Sequence, residues 1–253
     1  MTRTARGAAL VTGAGRRIGQ ALALEAARAG YDVAVHHRAS ADEAEGTAQA
    51  VRALGRRAVL VQADLSDEAA TRCLIDQAAR QIGPVTLLVN SASAFEDDRV
   101  GGLSRATWDL HLETNLRAPI VLAEAFAAAL PEGAPGLVVN IVDQRVLRPN
   151  PQFFSYSLAK AGLWWATRTL AQALAPRIRV NAIGPGPTLP STHQAPGEFE
   201  AEAAGTPLQR AATPDEVAAA LRYLIDAPSV TGQMIAVDGG QHLGWQTPDI
   251  VAP

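Results

Sequence analysis

A tyrosine and a lysine stand four residues apart in the sequence Tyr156-Ser-Leu-Ala-Lys160. At that spacing the two side chains share one face of a helix. A phenol, whose pKa is ordinarily about 10, exchanges protons poorly near neutral pH unless a neighbouring charge stabilises its phenolate. Lys160 can supply that charge, and it is the single lysine of the chain. The spacing therefore indicates a catalytic acid–base pair, with an ordinary pair on a helix surface as the alternative.

A glycine-rich loop is the second chemical feature, and residues 12–19 read Thr-Gly-Ala-Gly-Arg-Arg-Ile-Gly. The loop follows an apolar run and opens a segment with helical periodicity. Glycines at such a point let the backbone turn tightly and approach a pyrophosphate, whose charge lies against the N-terminus of the helix. The order of strand, loop and helix favours a dinucleotide site over a tight turn without a ligand.

The end of the second apolar run, Asp32–His36, distinguishes between the two nicotinamide cofactors. An NAD site needs a carboxylate there for the ribose 2′-hydroxyl, whereas a 2′-phosphate needs cations. Residues 37–40 are His-Arg-Ala-Ser and include no acid. Arg17 can add a second planar guanidinium beside Arg38, and this geometry matches phosphate oxygens. The residues therefore predict NADP(H), with a solvated surface role for Arg38 as the alternative.

Short apolar runs alternate with longer segments of helical periodicity along the whole chain. The predicted strands are Ala8–Thr12, Asp32–His36, Arg57–Val61, Thr86–Asn90, Leu137–Val142, Ile178–Ala182 and Met234–Val237. The predicted helices are Arg17–Ala29, Asp42–Leu54, Asp67–Ile82, Leu112–Leu130, Tyr156–Ala175 and Pro214–Asp226, with Ser40, Ser66 and Thr213 as capping residues. Continuous apolar runs are typical of strands covered on both faces. The pattern predicts an α/β fold, a parallel sheet between helices, in a single domain spanning 1–253.

Composition narrows the class of protein. A net charge of −3 attracts neither nucleic acid nor an anionic bilayer, and no apolar run is long enough to span a membrane. The single cysteine, Cys73, excludes an internal disulfide framework, and His111 and His193 lack the spacing of metal ligands. We therefore expect a cytoplasmic protein with no metal site, no nucleic-acid partner and no membrane partner.

The stretch Gly184–Gly197 contains four prolines and interrupts the alternation of strands and helices. Such a segment is typical of a functional lid, with a disordered surface loop as the alternative. It follows the carboxyl end of a predicted strand, where open α/β sheets bind ligands. Residues 184–213 are therefore the expected substrate-loop region.

Several motifs together resemble one family. The glycine loop, Asp64-Leu65, Asn90-Ser91-Ala92, Asn115, the Tyr156/Lys160 pair and Pro185-Gly186 occur in the order and spacing of the short-chain dehydrogenase/reductases. The resemblance covers essentially the whole chain. It implies a Rossmann-type, doubly wound sheet of about seven strands and hydride transfer involving a nicotinamide.

The resemblance also implies roles for individual residues. Tyr156 would donate the proton with the help of Lys160, and Asn115 would hold a water relay. Asp64 would contact the adenine amine, Asn90 the cofactor ribose and Thr188 the nicotinamide carboxamide. The expected cofactor-binding set is Gly13, Gly15, Arg16, Arg17, Ile18, Gly19, His37, Arg38, Ser40, Asp64, Leu65, Asn90, Ser91, Ala92, Tyr156, Lys160, Pro185, Gly186 and Thr188.

Two positions depart from the family's pattern. The glycine loop carries Arg17 where a third glycine is usual, and Asp143 stands thirteen residues before Tyr156, where the family has a serine. A carboxylate facing a ketone oxygen would repel the developing oxyanion unless it were protonated. Against a ring nitrogen or an amino group, the same carboxyl group can accept a hydrogen bond or provide a proton. Asp143 therefore favours a nitrogen heterocycle as substrate.

Both departures resemble the pteridine reductase branch of the family, and the glycine loop is similar to that of bacterial dihydromonapterin reductases. This resemblance implies that Phe95 stacks a pterin against the nicotinamide, that Ser93 bonds the pterin and that Arg17 contacts phosphate and substrate. A core position for Phe95 is the alternative. We expect NADPH to reduce a C=N bond of a dihydropterin, with the proton coming from Tyr156 or from a water linked to Asp143. A generic NADP(H)-linked reductase of ketones or acyl-carrier carbonyls, and an NADP(H)-binding regulatory protein without turnover, are the alternatives.

The predicted helix that contains Lys160 is more apolar than one packed face requires, because it also carries Leu163, Trp164 and Trp165. Burial in the core and burial at an interface both explain them. The family resemblance implies a homotetramer in which the two longest predicted helices pair across a dimer. The segment Gln241–Pro253 either reaches a neighbour's site or frays.

Overall fold

The computed structural model describes residues 6–245, and one sheet of seven parallel strands runs through its centre. The strands are β1 (Ala8–Val11), β2 (Asp32–His37), β3 (Ala58–Gln62), β4 (Val85–Asn90), β5 (Gly136–Ile141), β6 (Ile178–Pro185) and β7 (Met234–Val237). Their order across the sheet is β3-β2-β1-β4-β5-β6-β7. The predicted Rossmann-type, doubly wound sheet is therefore confirmed.

Helices cover both faces of the sheet. They are α1 (Arg17–Arg28), α2 (Ala41–Ala53), α3 (Glu68–Ile82), α4 (Arg105–Leu112), α5 (Ala118–Ala129), α6 (Phe154–Leu174), α7 (Glu198–Ala204) and α8 (Pro214–Asp226). Helices α1, α2 and α8 pack on one face, and α3, α5 and α6 pack on the other. Within residues 6–245, no helix combines the length and the apolar character that a membrane crossing requires.

Strand β1 explains why the apolar runs are continuous. Val11 packs with Leu22 of α1 and Leu224 of α8, whereas Leu10 packs with residues of α3 and α5 such as Leu74 and Phe126. Because successive side chains of a strand point to opposite faces, each face needs its own apolar residues. All four residues of β1 are completely buried.

Some helix boundaries differ from the prediction. The expected helix Leu112–Leu130 is wrong at its start, because α4 begins at Arg105, where Ser104 Oγ accepts the Thr107 amide, and a π-helical turn over Glu113–Arg117 joins α4 to α5. Ser66 is wrong as a cap, since the Asp67 carboxylate accepts the Ala70 amide at 3.1 Å. Ser40 stands at the N-cap of α2, but its side chain makes no capping bond within the described residues. Thr213 is confirmed by a complete capping box with Glu216.

The strand order reverses between β1 and β4, and open α/β sheets bind ligands in the crevice at such a point. The carboxyl ends of the strands meet along this edge. The glycine loop follows β1, Ser91 follows β4, Asp143 comes shortly after β5, and Gly186 follows β6. The topology therefore gathers motifs that are far apart in the sequence.

Candidate active site

A cleft of about 1280 Å³ opens at the carboxyl edge of the sheet. It extends from the glycine loop past the ends of β4 and β5 to the segment after β6. The predicted residues that line it are Gly13, Gly15, Arg16, Arg17, Ile18, Gly19, His37, Arg38, Ser40, Asp64, Leu65, Ser91, Ala92, Ser93, Phe95, Asp143, Tyr156, Lys160, Pro185, Gly186 and Thr188. The structure thus brings nearly all the predicted residues to one place.

Asn90 and Asn115 lie behind the lining of the cleft. The Asn90 amide donates to Asn140 Oδ1 at 2.8 Å across the neighbouring strands. Asn115, in the π-helical turn, accepts the amide of Ala94 and donates to the carbonyl of the same residue, both at 2.8 Å. Both side chains are buried, and Asn115 holds the backbone of Ala94 at the cleft. Their expected contacts with the ribose and with a water relay stay predictions.

Tyr156 and Lys160 lie buried on the first two turns of α6. The Tyr156 hydroxyl donates to Asp143 Oδ2 at 2.8 Å, and Lys160 Nζ donates to the carbonyl of Ile141 at 2.8 Å. Burial, and next the charge of Asp143, raise the pKa of Tyr156 well above its ordinary value, while burial lowers the pKa of Lys160 to about 8. The expectation that Lys160 assists Tyr156 by stabilising its phenolate stays a prediction. Next to a carboxylate, Tyr156 keeps its proton and can donate it.

The Asp143 carboxylate lies between a phenol and a guanidinium. Besides the Tyr156 hydroxyl, it accepts the Arg145 amide at 2.8 Å, and Arg145 Nη1 lies 3.4 Å from Oδ2. Both ionic side chains are only 15% exposed. Asp143 caps the 3-10 turn Gln144–Val146, and that turn aims its carboxylate back at Tyr156. The arrangement holds the carboxylate inside the cleft, where an incoming donor can reach it.

An aromatic cluster forms the wall beside Tyr156. The rings of Phe95 and Phe153 stack with centroids 4.2 Å apart, and Tyr156 meets Phe95 edge-on at 4.7 Å. His193 also approaches both phenylalanine rings edge-on. Arg145 Cζ lies 5.8 and 5.3 Å from the two centroids, so the guanidinium sits beside the stack. The cluster provides a flat apolar surface next to polar groups.

Sequence reasoning missed Phe153, Arg145 and His193 as residues of this site. Phe153 adopts a left-handed conformation with φ 51°, which is strained for a bulky residue and turns its ring towards Phe95. Its position three residues before Tyr156 was the available signal. No local pattern indicated His193, which bonds the Phe95 carbonyl across 98 positions of sequence.

The proline-containing segment closes one side of the cleft. Arg17 donates to the carbonyl oxygens of Pro190 and Leu189 at 2.9 and 3.2 Å, and His193 Nε2 contacts the carbonyl of Phe95 at 2.8 Å. The segment is therefore bonded to the glycine loop and to the residues that follow β4. The structure favours a segment built over the site rather than an independent surface loop. The assignment of 184–213 as a substrate-loop region stays a prediction.

The glycine loop is packed too tightly for side chains. A Cβ on Gly19 would lie 2.1 Å from the carbonyl oxygen of Gly13, and one on Gly13, at φ +64°, would lie 2.8 Å from Ala92 Cα. His36 Nδ1 accepts the Gly13 amide at 3.1 Å, and its Nε2 faces the carbonyl of Ala63. Burial lowers the pKa of His36 to about 4, so the ring is neutral and can accept that bond. The loop is a preformed cradle at the N-terminus of α1 and fits a pyrophosphate.

The far end of the cleft gathers cationic and polar groups. Arg16, Arg38 and Ser40 line it, and the buried Nδ1 of His37 has no hydrogen-bond partner within residues 6–245. Asp32 pairs with Arg56 and Arg57 at the other end of β2 and does not line the cleft. The absence of a carboxylate at the end of β2 fits a 2′-phosphate better than a free ribose hydroxyl.

Four further predictions concern metal binding, Cys73, the apolar residues of α6 and the segment that begins at Gln241. Within residues 6–245 no cluster of His, Cys, Asp and Glu side chains could hold a metal ion. Cys73 is exposed. Leu163 is buried, Trp164 is half-buried and Trp165 is 62% exposed. In the last segment, residues 241–243 form a 3-10 turn, whereas residues 246–253 lie outside the described part of the chain.

Sequence comparison identifies relatives along almost the whole chain. The model of the family described as enoyl-(acyl carrier protein) reductase matches residues 13–242. The 3-oxoacyl-[acyl-carrier-protein] reductase FabG of Staphylococcus epidermidis is 30% identical over 240 residues. That match covers 93% of this chain and 98% of the relative.

Two solved structures are similar in fold and contain NADP. FolM alternative dihydrofolate reductase 1 from Brucella suis, in complex with NADP, is 54% identical with a TM-score of 0.93, covering 99% of this chain and 100% of that one. A short chain dehydrogenase from Burkholderia cenocepacia, in complex with NADP, is 34% identical with a TM-score of 0.87, covering 94% of this chain and 99% of that one.

Proposed function

Because the chain belongs to the short-chain dehydrogenase/reductase family, we propose that it is an NADPH-dependent reductase of a pterin-like substrate. The reaction converts a dihydropterin to a tetrahydropterin by hydride transfer to a C=N bond and protonation of the adjacent nitrogen. The observation that carries the proposal is the Asp143 carboxylate, which accepts the Tyr156 hydroxyl at 2.8 Å inside the cleft.

NADP(H) is the cofactor that fits the residues of the cleft. The glycine loop would hold the pyrophosphate against α1, and Arg38, His37 and Ser40 would surround the 2′-phosphate. The FolM structure from Brucella suis holds NADP, which supports this choice. When bound, NADPH supplies the hydride. Asp64, Asn90 and Thr188 are proposed to contact the adenine, the ribose and the carboxamide.

Tyr156 is proposed as the proton donor. The phenol is protonated near neutral pH and so has a proton to give, and its hydrogen bond to Asp143 fixes the direction of the hydroxyl. Lys160 holds the backbone of Ile141 from below and places a positive charge 5.6 Å from the phenol ring. That charge stabilises the phenolate left after the proton is donated.

Asp143 and the aromatic cluster are proposed to select the substrate. A carboxylate repels the oxyanion that forms on a ketone, but it accepts hydrogen bonds from amino and ring N–H groups. Phe95 offers its ring to a flat heterocycle, and Ser93 adds a polar contact at the same end of the cleft. A planar, nitrogen-rich ring satisfies both requirements.

The decisive experiment compares wild-type protein with Asp143→Ser. NADPH oxidation is measured with dihydrobiopterin, dihydromonapterin and a panel of simple ketones. We expect the variant to lose about 100-fold or more in pterin turnover, with NADPH binding unchanged by fluorescence titration, and to gain weak ketone reduction. Equal pterin turnover in the variant, or no pterin turnover in the wild type, contradicts the proposal.

Reduction of acyl-carrier carbonyls is the second candidate, because the FabG relative matches nearly the whole chain. Turnover of a 3-oxoacyl thioester at a higher kcat/KM than any dihydropterin would favour it. NADPH binding without oxidation of any of these substrates would favour a regulatory protein. The cytoplasmic location stays a prediction, as does the homotetramer, which the exposed Trp165 supports and light scattering can test.

A further inference from the structure

Three buried polar side chains behind the cleft form a continuous hydrogen-bond network. Ser155 donates its amide to Asp98 Oδ1 at 3.0 Å and its hydroxyl to Asp98 Oδ2. The Ser155 hydroxyl also contacts His111 Nδ1 at 2.7 Å, and His111 Nε2 faces the Glu96 amide at 3.0 Å. Ser155 and His111 are completely buried, and Asp98 is nearly so. None of these three residues lines the cleft.

Only one assignment of hydrogen-bond donors and acceptors fits this network. A carboxylate only accepts, so the Ser155 hydroxyl donates to Asp98 and must accept from His111 Nδ1–H. His111 Nε2 then carries a lone pair, and it accepts the Glu96 amide. Burial lowers the pKa of His111 and maintains this neutral form. The charges of Asp98 and Glu96 act in the opposite direction, whereas the charge of Lys160 acts in the same direction as burial. The imidazole thus acts as a fixed bridge.

The network joins residues 94–98, which carry Phe95, to helix α6, which carries Tyr156. Residues 94–98, which the structure describes in full, have no regular secondary structure, yet they present Phe95 to the cleft. Helix α6 carries Tyr156, and Phe153 at its N-cap makes no side-chain capping bond within the described residues. Asp98 provides the cap instead, because its carbonyl accepts the Phe154 amide and its carboxylate accepts the Ser155 amide.

We propose that His111 is a positioning residue that fixes Phe95 relative to Tyr156 through the Glu96 amide and the Ser155 hydroxyl. This inference rests on the proposed function, because Phe95 matters only if a ring stacks on it. A hydrolytic role for the trio is excluded by its order, since Ser155 lies in the middle and no substrate can reach its oxygen. The trio acts on the reaction only through the residues that it holds.

Two variants separate the two bonds of His111. In His111→Gln, the amide oxygen reaches the position of Nε2 and can still accept the Glu96 amide. In His111→Asn, the shorter amide reaches the position of Nδ1, keeps the bond to Ser155 and leaves the Glu96 amide without its acceptor. We expect His111→Asn to raise the KM for dihydropterin about tenfold with an unchanged KM for NADPH. His111→Gln loses the bond to Ser155, but Asp98 still holds the Ser155 amide, so this variant should stay within about twofold of wild type.

Amide hydrogen exchange provides a readout that does not need turnover. In His111→Asn, exchange in residues 94–98 should be about tenfold faster than in His111→Gln at equal global stability. Equal exchange and equal KM in the two variants, or a parallel rise of both KM values, overturns the inference. Absence of dihydropterin turnover in the wild type contradicts the proposed function, and the exchange comparison then still decides whether His111 holds the segment.

Discussion

The two halves of the cleft are built in different ways. The cofactor half consists of strand ends and a glycine loop that presents its backbone to the ligand, held by one buried imidazole, that of His36. The substrate half consists of segments 94–98, 143–153 and 187–193, which present side chains. His111 bonds the Glu96 amide, His193 bonds the Phe95 carbonyl, and Arg17 joins the glycine loop to the segment 187–193. One half is thus specified by local geometry and the other by long-range contacts.

This difference determines how well each half of the cleft tolerates amino-acid substitutions. A backbone cradle accepts few substitutions because its atoms already touch, whereas a wall of side chains can be altered residue by residue. Substitutions in the cofactor half should therefore change NADPH affinity for every substrate. Substitutions in the substrate half should change the preference between substrates at constant NADPH affinity.

Tyr156→Phe should separate chemistry from binding at the border of the two halves. Loss of the hydroxyl removes the proposed proton donor and the bond to Asp143, and general acid catalysis contributes about 100- to 10,000-fold. We expect kcat to fall within that range while the KM for NADPH and the KM for substrate each change by less than about threefold. Steady-state kinetics measures all three. An unchanged kcat would remove Tyr156 from the mechanism.

The buried His36 ring should make the cofactor half sensitive to acid. Its pKa is about 4 in the folded protein, against about 6.5 in an unfolded chain. Between these values the unfolded chain binds a proton that the folded protein does not, so stability falls as the pH falls from 6.5 to 4. The full loss amounts to about 3 kcal/mol, and the Gly13 amide loses its acceptor once the ring is protonated.

Urea unfolding of wild type and His36→Asn at several pH values between 7 and 4 measures this effect. Carboxylates elsewhere titrate in both proteins, so the difference between the two slopes belongs to residue 36. We expect the wild type to lose about 3 kcal/mol more than the variant over this range. Parallel slopes would mean that His36 is not held neutral in the folded protein.

Gly19→Ala should affect the cofactor half alone. The new Cβ would lie 2.1 Å from the carbonyl oxygen of Gly13, so the loop has to move. We expect the KM for NADPH to rise about 10- to 100-fold, with the substrate KM nearly unchanged at saturating NADPH. Gly46→Ala is the matched control, because a Cβ there meets no atom of residues 6–245 within 4 Å. On helix α2 it should stabilise the protein by about 0.5–1 kcal/mol.

The contrast between local geometry and long-range contacts also explains which features could be predicted from the sequence. Continuous apolar runs such as Ala8–Thr12 predicted the strands because both faces of the sheet are covered. The glycine loop and the Tyr156/Lys160 spacing predicted residues that line the cleft, since those signals are local. Asp143 was identifiable because it replaces a serine at a fixed distance from Tyr156.

Residues whose positions depend on tertiary contacts were not predictable. His193 belongs to the site because a proline-containing segment passes over Phe95, and the sequence near His193 does not indicate that path. The start of α4 at Arg105 was missed because its first turn has little apolar periodicity and depends on the Ser104 cap. The direction of the Lys160 ammonium, towards Ile141, likewise follows from packing and not from spacing.

Substitutions of Phe153 have the smallest expected effect, and they test backbone strain in the substrate half directly. Its φ of 51° places a bulky residue in the left-handed region, where an L-residue costs about 1–2 kcal/mol relative to its usual conformation. Phe153→Ala and Phe153→Gly both remove the ring that stacks on Phe95, and they differ in that penalty. At an ordinary helical position alanine is the more stabilising of the two by about 0.5–1 kcal/mol. At position 153 we expect the reverse, with the glycine variant more stable by about 1 kcal/mol in urea unfolding.

Both variants should raise the KM for substrate equally and leave the KM for NADPH unchanged. If alanine proves the more stable residue here, the left-handed backbone is not a constraint of the folded protein, and the ring is turned towards Phe95 by its side-chain contacts alone.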